Sequence, residues 1–294
     1  MITEGFLVRH YQGASGARDA ALLDVAQDHL LLHLHAEGLF DRGVVFKGGT
    51  ALRKFRAGNL GRFSTDLDFS APDEALALDV LSAVDGAEIF GFRFAVERLG
   101  DDGRRGDIVV DSPIGRPNLG AKIELSRHAL VLPPEHLAPI PLPIHRSYDF
   151  TLPELPVVRA EEAIAEKLAR FRRVSLARDL YDLQWFVTQG SLDKDLVRRL
   201  WVLKVYRDVN HDGRGDKPLS AEQVLRPRTA HEFAREDTGY LTKPIAVSEW
   251  IETVRDRYGF LRDMTDDEQR WALCNARHDW EVSQAMKALG RRYC

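Results

Sequence analysis

Two acids, Asp66 and Asp68, flank the apolar Leu67 in the stretch Ser64-Thr65-Asp66-Leu67-Asp68-Phe69-Ser70. Residues two apart on a strand project to one side, so these carboxylates would stand roughly 6.5 Å apart at their Cα atoms and could converge on a shared cation. Leu67 would face a core. Magnesium takes oxygen ligands, usually one or two carboxylates plus substrate phosphates, and such ions activate the attacking and leaving oxygens of phosphoryl or nucleotidyl transfer. Upstream, the apolar run Val44-Val45-Phe46 ends in Lys47-Gly48-Gly49-Thr50, and Ala51-Leu52-Arg53-Lys54 supplies helix formers. The pattern reads strand, turn, helix. Glycines there let the backbone approach a ligand, N–H groups at the helix start suit a phosphate, and Thr50 can cap or add a hydroxyl contact. A Gly-Gly-Thr by itself is more often a plain turn, and an Asp-x-Asp a solvated strand edge. In this order, with 17 positions from Gly49 to Asp66, they point together to nucleotide chemistry. The Walker pattern and a dinucleotide fingerprint are absent.

The segments Gly48-Gly49-Thr50-Ala51-Leu52-Arg53-Lys54 and Phe63-Ser64-Thr65-Asp66-Leu67-Asp68-Phe69 resemble the AbiEii-type nucleotidyltransferase toxins, closely so their mycobacterial MenT branch. Two further motifs of that family fall on Glu166-Lys167-Leu168 and Arg178-Asp179-Leu180-Tyr181-Asp182-Leu183. The resemblance runs from about the first helix to about Trp185, and it implies an α/β fold: a polymerase-beta-like nucleotidyltransferase core with a mixed sheet, followed by a mainly helical C-terminal domain. It also implies a Mg2+-dependent enzyme that moves an NMP from an NTP to the 3′ end of tRNA, blocks translation, and is countered by a cognate antitoxin. Gly48, Gly49, Thr50 and Ser64 would then bind the nucleotide, and Asp66 and Asp68 the metal. Lys167 would reach the triphosphate. Asp179 would act beside it by orienting Lys167 or holding ribose or metal water, with Asp182 the weaker choice. Glu124, in the alternating Ala121-Lys122-Ile123-Glu124-Leu125-Ser126, is a candidate third carboxylate that completes the metal site or takes the acceptor's proton. A surface glutamate paired with Lys122 or Arg127 is the alternative. A protein or small-molecule hydroxyl acceptor, or a catalytically silent nucleotide- or partner-binding module, are the rival readings.

With 294 residues, 44% apolar and 29% charged, the chain is long enough for one large or two modest globular domains. No run approaches the ~20 apolar residues that span a bilayer, and Met1-Ile2-Thr3-Glu4-Gly5 opens no secretory signal, so a cytoplasmic address without membrane contact is expected. Cys274 and Cys294 form neither a disulfide framework nor a zinc set. The net charge of −4 gives no global footprint for nucleic acid. Residues 159 to 178 carry Arg159, Lys167, Arg170, Arg172, Arg173 and Arg178, which is either an RNA-backbone contact or a solvated helix face.

The elements that must position these groups follow from periodicity. Apolar residues recur at helical spacing from Gly16 to Leu39, predicting an amphipathic helix on which His33 and His35 diverge and are structural. A helix over 73 to 84 precedes strands over Glu88 to Leu99, Asp107 to Asp111 and Gly120 to Ser126. Seven prolines between residues 132 and 156 mark a connection, which places a nucleotidyltransferase core at 1–150 and a helical domain at 151–294, with the ligand expected between them. Helices are predicted over Glu161 to Val174, Leu176 to Val187, Leu192 to Val205, Val247 to Arg257 and Asp266 to Leu289. Asp208-Val209-Asn210-His211-Asp212-Gly213 begins like a calcium loop, but Leu219 stands at the twelfth position and Arg214 inside it, so a polar turn is expected.

Overall fold

The computed structural model describes residues 2–11, 17–115, 118–189, 192–233 and 246–293. Gly16, at the start of the first expected helix, and Cys294 lie outside them. The chain divides into two compact units, one built from Met1–Leu130 and Pro134–Val158, the other mainly from Arg159 onward together with Val131–Pro133.

The first unit is an eight-stranded mixed sheet with helices. In chain order its elements are α1 (Glu4–Tyr11), α2 (Ala17–Ala36), β1 (Val45–Lys47), α3 (Gly48–Leu52), β2 (Asp66–Ser70), α4 (Glu74–Val84), β3 (Glu88–Ile89), β4 (Phe92–Leu99), β5 (Arg105–Asp111), β6 (Leu119–Ser126), β7 (Glu135–Leu137) and β8 (Leu155–Val157). The strands lie in the order β3-β4-β5-β6-β2-β1-β8-β7. β2 runs parallel to β6 and antiparallel to β1, so both motif-bearing strands are central. Phe46, Leu67, Phe69, Phe92, Phe94, Ile108, Val110, Ile123 and Leu125 face one core with α2 and α4. The polar residues between them take the other face, as strand alternation requires.

Three features depart from the expected pattern. β7 and β8 lie inside the proline-rich stretch, where Pro156 pairs opposite His136 and β8 joins β1 in parallel. The strand expected over 88 to 99 breaks at Phe90 and Gly91, both with positive φ. α2 is buried on every side from Ala20 to Leu31 rather than on one face, and its polar Asp24, Gln27, Asp28 and His29 are buried with the rest.

The second unit is helical: α5 (Ala160–Phe171), α6 (Ala177–Thr188), α7 (Lys194–Asn210), α8 (Glu222–Leu225), α9 (Val247–Arg257), α10 (Asp266–Ala272) and α11 (Asp279–Arg292). The single helix expected over 266 to 289 is two, parted around Cys274, which has φ +50°. Trp201, Tyr206 and Tyr258 fill the core, with the Tyr258 hydroxyl donating to the Leu183 carbonyl at 3.0 Å. Lys204 ties α7 to α5 through Glu162 at 2.7 Å and Glu166 at 3.0 Å. No helix among the described residues is long and apolar enough to cross a membrane.

Candidate active site

β1 delivers its chain into the glycine turn opposite β2, with Lys47 in register with Asp68. Gly48 has φ +80°, a conformation L side chains rarely adopt, and opens α3. A Cβ built on Gly48 would fall 1.9 Å from Asp68 Oδ2, and one on Gly49 would fall 2.2 Å from Arg62 Nη2 and 3.2 Å from Ser64 Oγ. The absent side chains are therefore the space that Asp68, Arg62 and Ser64 occupy. Thr50 is buried, and its hydroxyl donates to the Asp66 carbonyl at 2.5 Å. It ties the turn to β2 rather than pointing a hydroxyl outward.

Asp66 and Asp68 stand half-buried on the polar face of β2 while Leu67 and Phe69 enter the core. Thr65 donates to Asp66 Oδ1 at 3.1 Å. Glu124 is in register with Asp68 on the parallel neighbour β6, hence on the same face, and accepts from Arg105 Nη2 at 3.1 Å. Among the described residues no group of three His, Cys, Asp or Glu side chains is gathered to hold a metal. The paired acids nevertheless suit a hard cation: both offer carboxylate oxygens, both are half-buried on one face of the strand, and Asp68 sits directly against the glycine turn.

Sequence reasoning passed over Arg62, a buried guanidinium set against Gly49, because nothing in its spacing marks it. It also passed over the anchor beneath the turn. Arg53 Nε reaches Asp24 at 3.1 Å and its Nη1 donates to the Gly61 carbonyl at 2.7 Å, while its guanidinium lies 4.0 Å from the Phe63 ring centre. Lys54 donates to Asp24 at 3.1 Å and Asp28 at 2.7 Å, and Gln27 donates to the Ser64 carbonyl at 3.0 Å. Burial alone would raise the Asp24 carboxyl, but Arg53, Lys54 and His10 around it hold it well below the usual carboxylate range. Two acids four apart, Asp24 and Asp28, amid the leucines and alanines of α2 were the available signal.

In the helical unit, Lys167 is buried and its Nζ donates to Asp182 at 2.7 Å, with Asp179 farther at 3.9 Å. Asp179 is wholly buried and accepts both arms of the Arg170 guanidinium. The closer partner of Lys167 is thus Asp182, and Asp179 serves Arg170. The basic residues of 159 to 178 are largely committed within the unit, since Arg172 donates to the Asp216 and Arg214 carbonyls and Arg173 sits 3.7 Å from Asp208. Burial raises Asp208, and the loop after it is a turn closed by Arg214 N donating to the Asp208 carbonyl at 2.7 Å.

Comparison with known proteins identifies the family. The profile of the nucleotidyl transferase AbiEii toxin of type IV toxin–antitoxin systems matches residues 29–286. The solved structure of MenT4, a nucleotidyltransferase toxin of Mycobacterium tuberculosis H37Rv, is 52% identical, with a TM-score of 0.95 over 99% of this chain and 100% of that one. Two Helicobacter pylori structures also match, each with a TM-score of 0.43. One, of a protein assigned as a nucleotidyltransferase, is 17% identical over 81% of this chain and 94% of its own. The other, JHP933, is 15% identical over 97% and 100%. No curated protein matches. The chain belongs to the AbiEii nucleotidyltransferase toxin family.

Proposed function

We propose that this protein is the toxin of a toxin–antitoxin pair and transfers an NMP from an NTP to the 3′ end of tRNA in the cytoplasm, with Mg2+ as cofactor and a cognate antitoxin as its partner. One observation carries the nucleotidyl-transfer reading: the Asp66 and Asp68 carboxylates share the polar face of β2, and Asp68 is seated directly against the glycine turn, in the space a Gly48 side chain would take. Gly48 and Gly49 offer backbone N–H groups to the polyphosphate, with Ser64 and Arg62 beside them and Thr50 fixing the turn. Asp66 and Asp68 would hold the magnesium. A divalent cation there supplies charge neutralisation at the phosphate oxygens. Glu124 takes the proton of the acceptor hydroxyl, whose oxygen forms a bond to the α-phosphorus as the bond to the β-phosphate oxygen breaks and pyrophosphate departs. Lys167 is assigned to the charge on the departing pyrophosphate, held in place by Asp182 at 2.7 Å, with Asp179 3.9 Å from its ammonium.

The test is incubation of wild-type and Asp66→Ala protein with magnesium, total tRNA and each α-labelled NTP, with RNA and protein resolved on one gel. Label in tRNA with wild type alone is the expected result and names the nucleotide. Label confined to protein would transfer the reading to a protein acceptor, and label in neither would leave a binding module.

A further inference from the structure

The polar face of the sheet continues well past the two acids. Two rows of side chains cross it, one of Lys47, Asp68, Glu124 and Arg105 over β1, β2, β6 and β5, the other of Asp66, Lys122, Asp107 and Arg98 over β2, β6, β5 and β4. An open depression of about 320 Å³ follows these rows, lined by Asp66, Asp68 and Glu124 and, farther along, by Lys122, Arg105 and Arg98.

Arg98 reaches this face through an irregularity. Phe92 and Phe94 of β4 are buried on the core side, and unbroken alternation would send position 98 there too. A bulge between Val96 and Arg98 inserts one residue, so Val96 stands opposite Ile108 while Arg98 stands opposite Asp107. A bulge of this kind re-aims a side chain at a cost to the ladder. Neither Arg98 nor Lys122 forms an ion pair with its side chain among the described residues, although Asp107 lies in register with both. Arg105 is shared with Glu124.

We infer that Arg98, Arg105 and Lys122 are the track on which the sugar–phosphate strand of the RNA acceptor docks, entering over β4 and β5 and ending with its hydroxyl at Glu124. The inference rests on the RNA-acceptor reading and adds the direction of approach. The order across the sheet supports it: the glycine turn lies on the β1 side of the acids and the cations lie on the opposite side, so the two phosphate-bearing substrates do not compete. From Asp66 to Arg98 is three strand spacings, about 14 Å, which accommodates the last few nucleotides of a strand. Guanidinium groups grip phosphate in a fork, and phosphate contacts position a strand without reading its sequence. In a chain of net charge −4, such binding needs a local track.

The test is steady-state transfer by wild-type, Arg98→Glu and Lys122→Glu proteins, titrating tRNA and NTP separately at several salt concentrations. Arg42→Glu, a surface change away from this face, serves as control, and thermal unfolding verifies that each variant is folded. The expected result is a rise of about tenfold or more in KM for tRNA with KM for NTP unchanged, and a shallower salt dependence, by about 0.7 in the log–log slope for each phosphate that the variant no longer neutralises. Transfer to RNA by wild type with an unaltered tRNA KM in both folded variants overturns the track and leaves the RNA-acceptor reading standing. Label that enters only protein, or nothing, in the wild type overturns both.

Discussion

Asp68 Oδ2 lies 1.9 Å from where a Cβ on Gly48 would be, so the Asp68 carboxylate and the glycine turn are packed with no room for a side chain between them. Gly48→Ala therefore carries two penalties. An alanine at φ +80° costs about 1–2 kcal/mol, and its methyl must push Asp68 off its position. The expected outcome is a lower Tm together with at least about a hundredfold loss of transfer, since displacement of a reacting group by about 1 Å has that effect. Gly49→Ala meets side-chain ends, the Arg62 guanidinium and the Ser64 hydroxyl, and lacks the positive φ, so it should lower activity while costing less Tm than Gly48→Ala. Equal effects of the two on Tm would contradict this account.

Asp66→Asn and Asp68→Asn remove charge from half-buried positions on the polar face of the sheet. Each should cut transfer by about 10²–10³-fold or more, the scale expected when a stabiliser of developing charge is lost, and should abolish the response to added magnesium. Circular dichroism and Tm should match wild type. Residual activity with an intact magnesium titration would remove the metal from these acids.

In the helical unit the Lys167–Asp182 contact separates stability from chemistry. Both side chains are nearly inaccessible to water, so Asp182→Ala leaves an ammonium buried with a weakened partner and should cost about 3–5 kcal/mol. Asp179→Ala instead releases Arg170, whose side chain is 41% exposed and can turn to solvent, and should cost less. The double change Lys167→Met with Asp182→Leu should regain much of the stability in denaturant titrations while transfer stays lost. Recovery of activity in that double variant would confine Lys167 to a structural role.

The glycine turn and the Asp66/Asp68 pair were legible because their meaning is local: a two-residue period and a positive φ are properties of a few adjacent residues. What the sequence concealed was non-local. Asp24 and Asp28 look like the polar stripe of an amphipathic helix until Arg53 and Lys54, some 30 positions later, arrive to neutralise them. β7 and β8 hide among prolines because short strands can carry a proline, as β8 carries Pro156. The bulge before Arg98 is silent in Val96-Glu97-Arg98, since it is defined by the register of β5. Asp179 and Asp182 could not be ranked by spacing from Lys167, because both lie on one face of α6 and only packing decides which reaches the ammonium.

The buried cluster under the turn gives the protein a pH dependence whose sign follows from its shifts. Burial holds His29 and His145 below the ordinary imidazole value, the first packed among Phe92, Tyr148 and Phe150, the second 3.6 Å from Asp28. Each folded-state pKa is therefore lower than the unfolded one, and the unfolded chain binds more protons as pH drops below about 6.5. Their contribution to stability is complete above that value and is lost as pH falls toward the folded values. Asp24 follows the same sign lower down: its carboxyl is depressed by Arg53, Lys54 and His10, so its contribution is present above about 4 and disappears in more acid solution. Thermal unfolding of the whole chain should thus show a Tm that declines in two stages, near pH 6 and again near pH 4. His145→Gln should flatten the first stage, and Asp24→Asn should lower Tm at neutral pH while flattening the second. A Tm that rises between pH 7 and pH 5 would contradict the assignment, because it would require the imidazoles to gain, rather than lose, affinity for protons on folding.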